Sequence, residues 1–232
     1  DLFIGTLFNS SKLYNNTNSY YTLIDEFPVS FSSSWGDMNN DGRLDLVTTM
    51  GYEEGLKTNY LHLNMGNDEF EHIPLGGGDS RGVSLGDIDN DGDLDIYNAN
   101  RSDENNVLLV NQGNDNHWIN ILCVDNEGNR SAIGSRVHLK ATIDGQQVWQ
   151  MQEISAQTGG GFGGQNSLNV EFGLGDATII DSVVFEWSLG NEDIIVNVPV
   201  DTFIVFESGT SLSNVEETLF PFEFTLSQNY PN

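Results

Sequence analysis

The sequence predicts an all-β chain in two unlike halves. The C-terminal part of a β-propeller is expected over residues 1–115, a β-sandwich over 116–207, and a linker with a short tail over 208–232. Three observations carry this. A segment of about 50 residues repeats, each copy holds short alternating strands, and no stretch has a helical period of useful length.

The repeat is anchored by two acidic loops, Asp37-Met-Asn-Asn-Asp-Gly-Arg-Leu-Asp45 and Asp87-Ile-Asp-Asn-Asp-Gly-Asp-Leu-Asp95. Oxygen side chains fall at positions one, three, five and nine, around a glycine at six, Gly42 or Gly92. A hard divalent cation takes six to eight oxygens at roughly 2.3–2.6 Å, and a tight loop of this pattern supplies them with the position-seven carbonyl. The expected ligands are therefore Asp37, Asn39, Asp41, Asp45 and the Arg43 carbonyl for one Ca2+, and Asp87, Asp89, Asp91, Asp95 and the Asp93 carbonyl for a second. The plainer alternative is an acidic turn, since Asp, Asn and Gly are ordinary turn residues. Two copies with every ligand position filled favour the ion. The helical calcium hand is excluded, because its position-twelve glutamate is replaced by Thr48 and Asn98 and the flanking runs favour strands.

The copies lie 87 − 37 = 50 residues apart, and the likeness extends beyond the loops. Asn59-Tyr-Leu-His-Leu-Asn-Met-Gly-Asn67 returns as Asn106-Val-Leu-Leu-Val-Asn-Gln-Gly-Asn114, and more weakly as Lys12-Leu-Tyr-Asn-Asn-Thr-Asn18. A repeat near 50 residues with about four short strands describes a propeller blade. Asp1 aligns with Asp45 and Asp95 as a ninth-position residue, so the chain is expected to begin inside a blade. Propellers close with about four to eight blades, so further blades are expected upstream; an open β-array is the alternative. These residues resemble the FG-GAP and VCBS repeats of calcium-binding propellers.

A different pattern starts at His117-Trp-Ile-Asn-Ile-Leu-Cys-Val124 and continues through Val148–Ile154, Val170–Gly175 and Ile180–Trp187, with glycine turns between. Short strands without helices imply a sandwich. The blocks Asn129–Val137, Gln165-Asn-Ser-Leu168 and Phe172-Gly-Leu-Gly175 resemble the ASPIC/UnbV domain, which follows FG-GAP repeats in cartilage acidic protein and its bacterial relatives. Where that family has a serine, a histidine and a Trp-Pro-Ser-Gly turn, this chain has Gly164, Glu171 and Trp187-Ser-Leu-Gly190. Past the linker, Phe222-Glu-Phe-Thr-Leu-Ser-Gln-Asn-Tyr-Pro-Asn232 is similar to the start of the C-terminal sorting domain of type IX secretion, which implies a secreted or outer-membrane-surface protein.

Composition fits export. Eight basic residues oppose 35 acidic ones, for a net charge of −27, and two bound Ca2+ would leave −27 + 4 = −23. Such acidity argues against nucleic acid and anionic membrane surfaces as partners. No run of 18 or more residues is wholly apolar, so no spanning helix and no membrane insertion is expected.

Other candidates are weaker. Gly159–Gly164 lacks the lysine and helix of a phosphate loop and reads as a turning connection. Cys123 on an alternating strand reads as a small core residue. His62, His72, His117 and His138 have no metal-ligand spacing. Arg130 and Arg136 suit internal ion pairs, and Glu153 with Glu171 forms a conceivable acid pair. Tyr52, Tyr60, Tyr97 and Trp149 can stack on sugars, but packing is the expected role.

Two functions fit. One is a noncatalytic, calcium-stabilised binding or adhesion module that contacts an extracellular glycan or protein. The other is an accessory C-terminal part of a larger secreted enzyme whose catalytic residues lie upstream. The first is preferred, because the sequence offers no nucleophile with a recognisable base and no open catalytic metal pattern.

Overall fold

A computed structural model describes residues 1–17, 20–50, 58–101, 103–156 and 164–210. Residues 157–163, which include all of the Gly159–Gly164 run but Gly164, lie outside the described residues, as do Tyr52 and the tail from residue 211. Every regular element among those described is a strand.

The first half forms three antiparallel sheets in chain order. The first is β1 (Leu2–Ile4), β2 (Ser11–Thr17) and β3 (Tyr20–Phe27). The second is a four-stranded meander of β4 (Ser32–Gly36), β5 (Asp45–Thr49), β6 (Asn59–Gly66) and β7 (Glu69–Gly76). The third is β8 (Ser80–Gly86), β9 (Asp95–Asn100) and β10 (Val107–Leu109). Each acidic loop joins two neighbouring strands, β4 to β5 and β8 to β9, as its β-forming flanks predict.

Apolar residues hold the sheets face to face. Leu13, Phe27 and Leu46 pack between the first two sheets, with Phe3, Ile24 and Phe70 beside them. Met38, Val47, Val83, Leu85, Leu94 and Ile96 pack between the second and third. Full burial of such side chains contributes about 1.5–3 kcal/mol each. The described sheets form an open array rather than a closed ring.

The second half is a two-layer sandwich. One layer places β11 (His117–Val124) between β14 (Val170–Gly175), antiparallel, and β17 (Thr202–Glu207), parallel. The other runs β13 (Gln146–Glu153), β12 (Arg136–Ile143), β15 (Ile180–Glu186) and β16 (Glu192–Val198). Strand β12 shows why: Val137, Leu139, Ala141 and Ile143 face inward, while Arg136, His138, Lys140 and Thr142 alternate with them. Asp144-Gly145, both at positive φ, makes the tight turn into β13. The core includes Ile119, Ile121, Phe172 and Leu174 from one layer and Val137, Leu139 and Phe185 from the other. Phe185 stacks on Phe206 with ring centroids 4.0 Å apart.

Residues Ser208–Thr210, expected as linker, are bonded to the sandwich instead. Ser208 donates its backbone N–H to Val124, and Gly209 donates to Asp193. A strand end that can still satisfy its backbone groups stays with the sheet.

Candidate metal centre

The two loops are built alike to the level of single hydrogen bonds. In the first, Asp41 and Gly42 donate their backbone N–H groups to Asp37 at 3.1 and 2.8 Å. In the second, Asp91 and Gly92 donate to Asp87 at 3.2 and 3.1 Å. The ninth-position carboxylate reaches back across each loop, where Asp45 accepts from Met38 at 2.8 Å and Asp95 from Ile88 at 2.9 Å. Asn40 and Asn90 have φ of 56° and 61°, and Gly42 and Gly92 have φ of 86° and 89°, so the same left-handed turns are used twice. The glycines carry this at no steric cost.

Sequence reading missed one member of each cage. Asn64 donates its backbone N–H to Asp45 and its amide to the Leu44 carbonyl; Asn111 does the same to Asp95 and Leu94. Both asparagines belong to the repeated Asn-x-x-x-x-Asn block, so the signal was present but had no assigned role. The first sheet repeats the bond in part: Asn16 donates its backbone N–H to Asp1 at 3.1 Å.

The side chains turned into the loops end in oxygen, the donor set that suits a hard divalent cation rather than a soft one. Asp87, Asp89 and Asp95 each place a carboxylate oxygen within 4.8 Å of the others. In the first loop Asp41 is held by the Arg43 guanidinium and by Asn39, which bonds it at 3.0 Å. Burial is the main cause that pushes Asp37 up to about 7 and Asp45 to about 6, with neighbouring carboxylates adding to it. Burial likewise raises Asp87, Asp89 and Asp93, the last to about 6, and nearby Asp91 adds to each. The loops hold anionic groups where the chain alone resists their charge.

Both loops lie against the sandwich. The face of β14 that carries Glu171, Gly173 and Gly175 runs across them. Gly175 donates to the Asn40 carbonyl at 2.8 Å, and a Cβ on Gly173 would collide with Asp37 and Asn40. A Cβ on Gly92 would fall inside the Trp118 ring. Asn114 and Asn116, at the junction of the halves, both donate to the Asn39 carbonyl.

Residues 37–98 match the family profile of the FG-GAP-like repeat, and residues 125–213 match that of ASPIC and UnbV. The chain therefore carries a segment similar to an FG-GAP-like repeat, followed by one similar to an ASPIC/UnbV domain. Comparison with curated proteins found no match.

Within the ASPIC/UnbV part, the Gln165–Leu168 block is a docking element. Asn166 accepts from the Leu85 N–H at 3.0 Å and bonds Ser34, while Ser167 donates to the Leu85 carbonyl at 2.9 Å. The conceivable acid pair does not form: Glu153 binds Arg136 at 3.1 Å on the outer face, whereas Glu171 faces the second loop. Cys123 is buried in the sandwich core, and burial pushes its thiol up to about 12.

In the FG-GAP-like part, His62 and His72 meet across the β6–β7 hairpin with Nδ1 atoms 2.7 Å apart, a pairing that register creates and linear spacing conceals. Burial, helped by His72, lowers His62 to about 3. The packing role expected of the aromatics holds for Tyr60, which stacks on His62, but Trp149 and Tyr97 are exposed. Trp149 lies beneath the Lys140 ammonium, and the Tyr97 hydroxyl accepts from the Asn106 amide at 2.7 Å.

Proposed function

We propose that the chain is a noncatalytic, calcium-stabilised binding module of an extracellular protein, in which the three sheets are propeller blades and each acidic loop holds one Ca2+. The observation that carries this reading is the duplicated cage, with the same backbone bonds to Asp37 and Asp87 and to Asp45 and Asp95. Identical scaffolding of two carboxylate loops is what a repeated cation site requires, and an ordinary acidic turn does not require it. Asp37, Asn39, Asp41, Asp45 and the Arg43 carbonyl would hold one ion. Asp87, Asp89, Asp91, Asp95 and the Asp93 carbonyl would hold the other.

The cation would neutralise carboxylates that the fold brings together. The chain's own part is to fix the loop backbone, so that the oxygens are gathered before the ion arrives. Because the loops also seat the sandwich through Gly173, Gly175 and Trp118, the ions would stiffen the junction of the two halves. Exposed Trp149, with the Lys140 ammonium 5.6 Å from its ring, is the type of surface that stacks on sugars. The test is an array of glycans and extracellular proteins probed with the chain in calcium and in chelator. Selective retention that chelator abolishes supports the reading; turnover of any bound glycan, or retention indifferent to chelator, contradicts it.

A further inference from the structure

The second loop has a neighbour that the repeat does not supply. Glu171 comes from the sandwich, two residues before the glycine that seats the first loop, and it is half-buried at the edge of a cleft of about 280 Å³ that Trp35, Leu85, Leu94 and Asn166 also line. The groups acting on it are burial, the Asp87 and Asp95 carboxylates, and the Asp87 backbone; none is a cationic side chain.

Asn120 of β11 adds an independent sign. It is 1% exposed, and its amide nitrogen lies 3.4 Å from both Asp87 Oδ2 and Glu171 Oε1. Its Oδ1 is buried with no hydrogen-bond partner among the described residues. An uncharged amide at that distance is a weak counterweight to facing carboxylates, and a buried amide oxygen without a donor is unfavourable. A cation between the carboxylates balances their charge, and with the Asn120 amide turned over its Oδ1 gains a partner in the same ion. The first loop has no such neighbour, because Gly173 brings bare backbone against Asp37.

Resting on the reading of the loops as Ca2+ sites, we propose that Glu171 is a further carboxylate ligand of the second-loop cation, with Asn120 beside it. The cation then links the propeller-type half to the sandwich directly. Ligand charge count sets affinity in oxygen sites, so one loop becomes the tighter of the two through a residue outside the repeat.

The test is calorimetric titration of the full chain with Ca2+, using the unaltered chain, Glu171→Gln and Asp89→Ala. Two sites are expected in the unaltered chain. Glu171→Gln should weaken one of them about tenfold or more, leave the other unchanged, and have no further effect when combined with Asp89→Ala. Thermal unfolding in chelator guards against misfolding: removing a crowded carboxylate should raise the metal-free midpoint while shrinking the shift that Ca2+ produces. Two sites with an unchanged or tighter affinity in Glu171→Gln would overturn the Glu171 assignment alone. No Ca2+ binding by the unaltered chain would overturn it together with the loop assignment beneath it.

Discussion

Asn40 of the first loop donates its side-chain amide to Asp93 of the second at 2.8 Å, and to the Gly92 carbonyl at 3.1 Å. Asn40 is buried, so the two loops form one bonded unit although 50 residues separate their starts. Position four of one repeat thereby grips positions six and seven of the next.

Removing that grip should destabilise both halves of the unit. Asn40→Gly keeps the left-handed backbone allowed while deleting the amide, and it should cost about 1–2 kcal/mol, the worth of buried hydrogen bonds to a carbonyl and a carboxylate. Urea unfolding measures this. A variant as stable as the unaltered chain, in calcium and in chelator alike, would show that the loops are independent.

The two loops should also differ in strength. Asp41 is engaged by Arg43, whereas Asp87, Asp89 and Asp95 gather without a guanidinium among them. Asp91→Ala is therefore expected to lower total calcium affinity more than Asp41→Ala, as read by titration calorimetry. A larger loss from Asp41→Ala would reverse the ranking.

Stability should depend on pH in opposite ways with and without metal. Asp37, Asp45, Asp93 and Glu171 are raised by burial to between about 6 and 8. In that condition the folded chain holds more protons than the unfolded chain once pH exceeds the ordinary carboxylate range. The metal-free stability these groups contribute is then complete below about pH 4 and lost as pH climbs through 6 to 8. Calcium needs the ionised carboxylates, so the shift it produces should grow from about pH 5 to about pH 8. Thermal melts across that interval check it; a calcium shift independent of pH would mean that these groups do not face the ion.

The glycines at the junction should tolerate nothing larger. Gly92→Ala puts a Cβ at φ 89° and into the Trp118 ring, and Gly173→Ala drives one into Asp37. The left-handed strain alone costs about 1–3 kcal/mol. Gly145→Ala, at φ 72° with nothing within 4 Å, carries strain without a clash and serves as the comparison. Equal losses at Gly92 and Gly145, measured by urea unfolding, would show that the sandwich does not press on the loop.

Strand identity was legible because alternation and turn residues are local: His117–Val124 and Val170–Gly175 were read to the residue, and the acidic loops were placed between strands. The scaffold of the loops was only half legible. Asn64 and Asn111 recurred visibly, but their bonds to Asp45 and Asp95 depend on the fold of a neighbouring strand. What no local pattern discloses is the meeting of distant segments. The parallel pairing of β11 with β17 arises within the sandwich, the Asn40–Asp93 bond between the two loops, and the approach of Glu171 to Asp87 between repeat and sandwich.

The most direct test of the central claim is thermal unfolding of the chain in calcium and in chelator, with metal analysis of the purified protein. The account predicts a large upward shift in calcium and about two ions per chain, because a cation bound only to the folded loops stabilises them by mass action. No shift and no bound metal would reduce both loops to acidic turns and contradict the account.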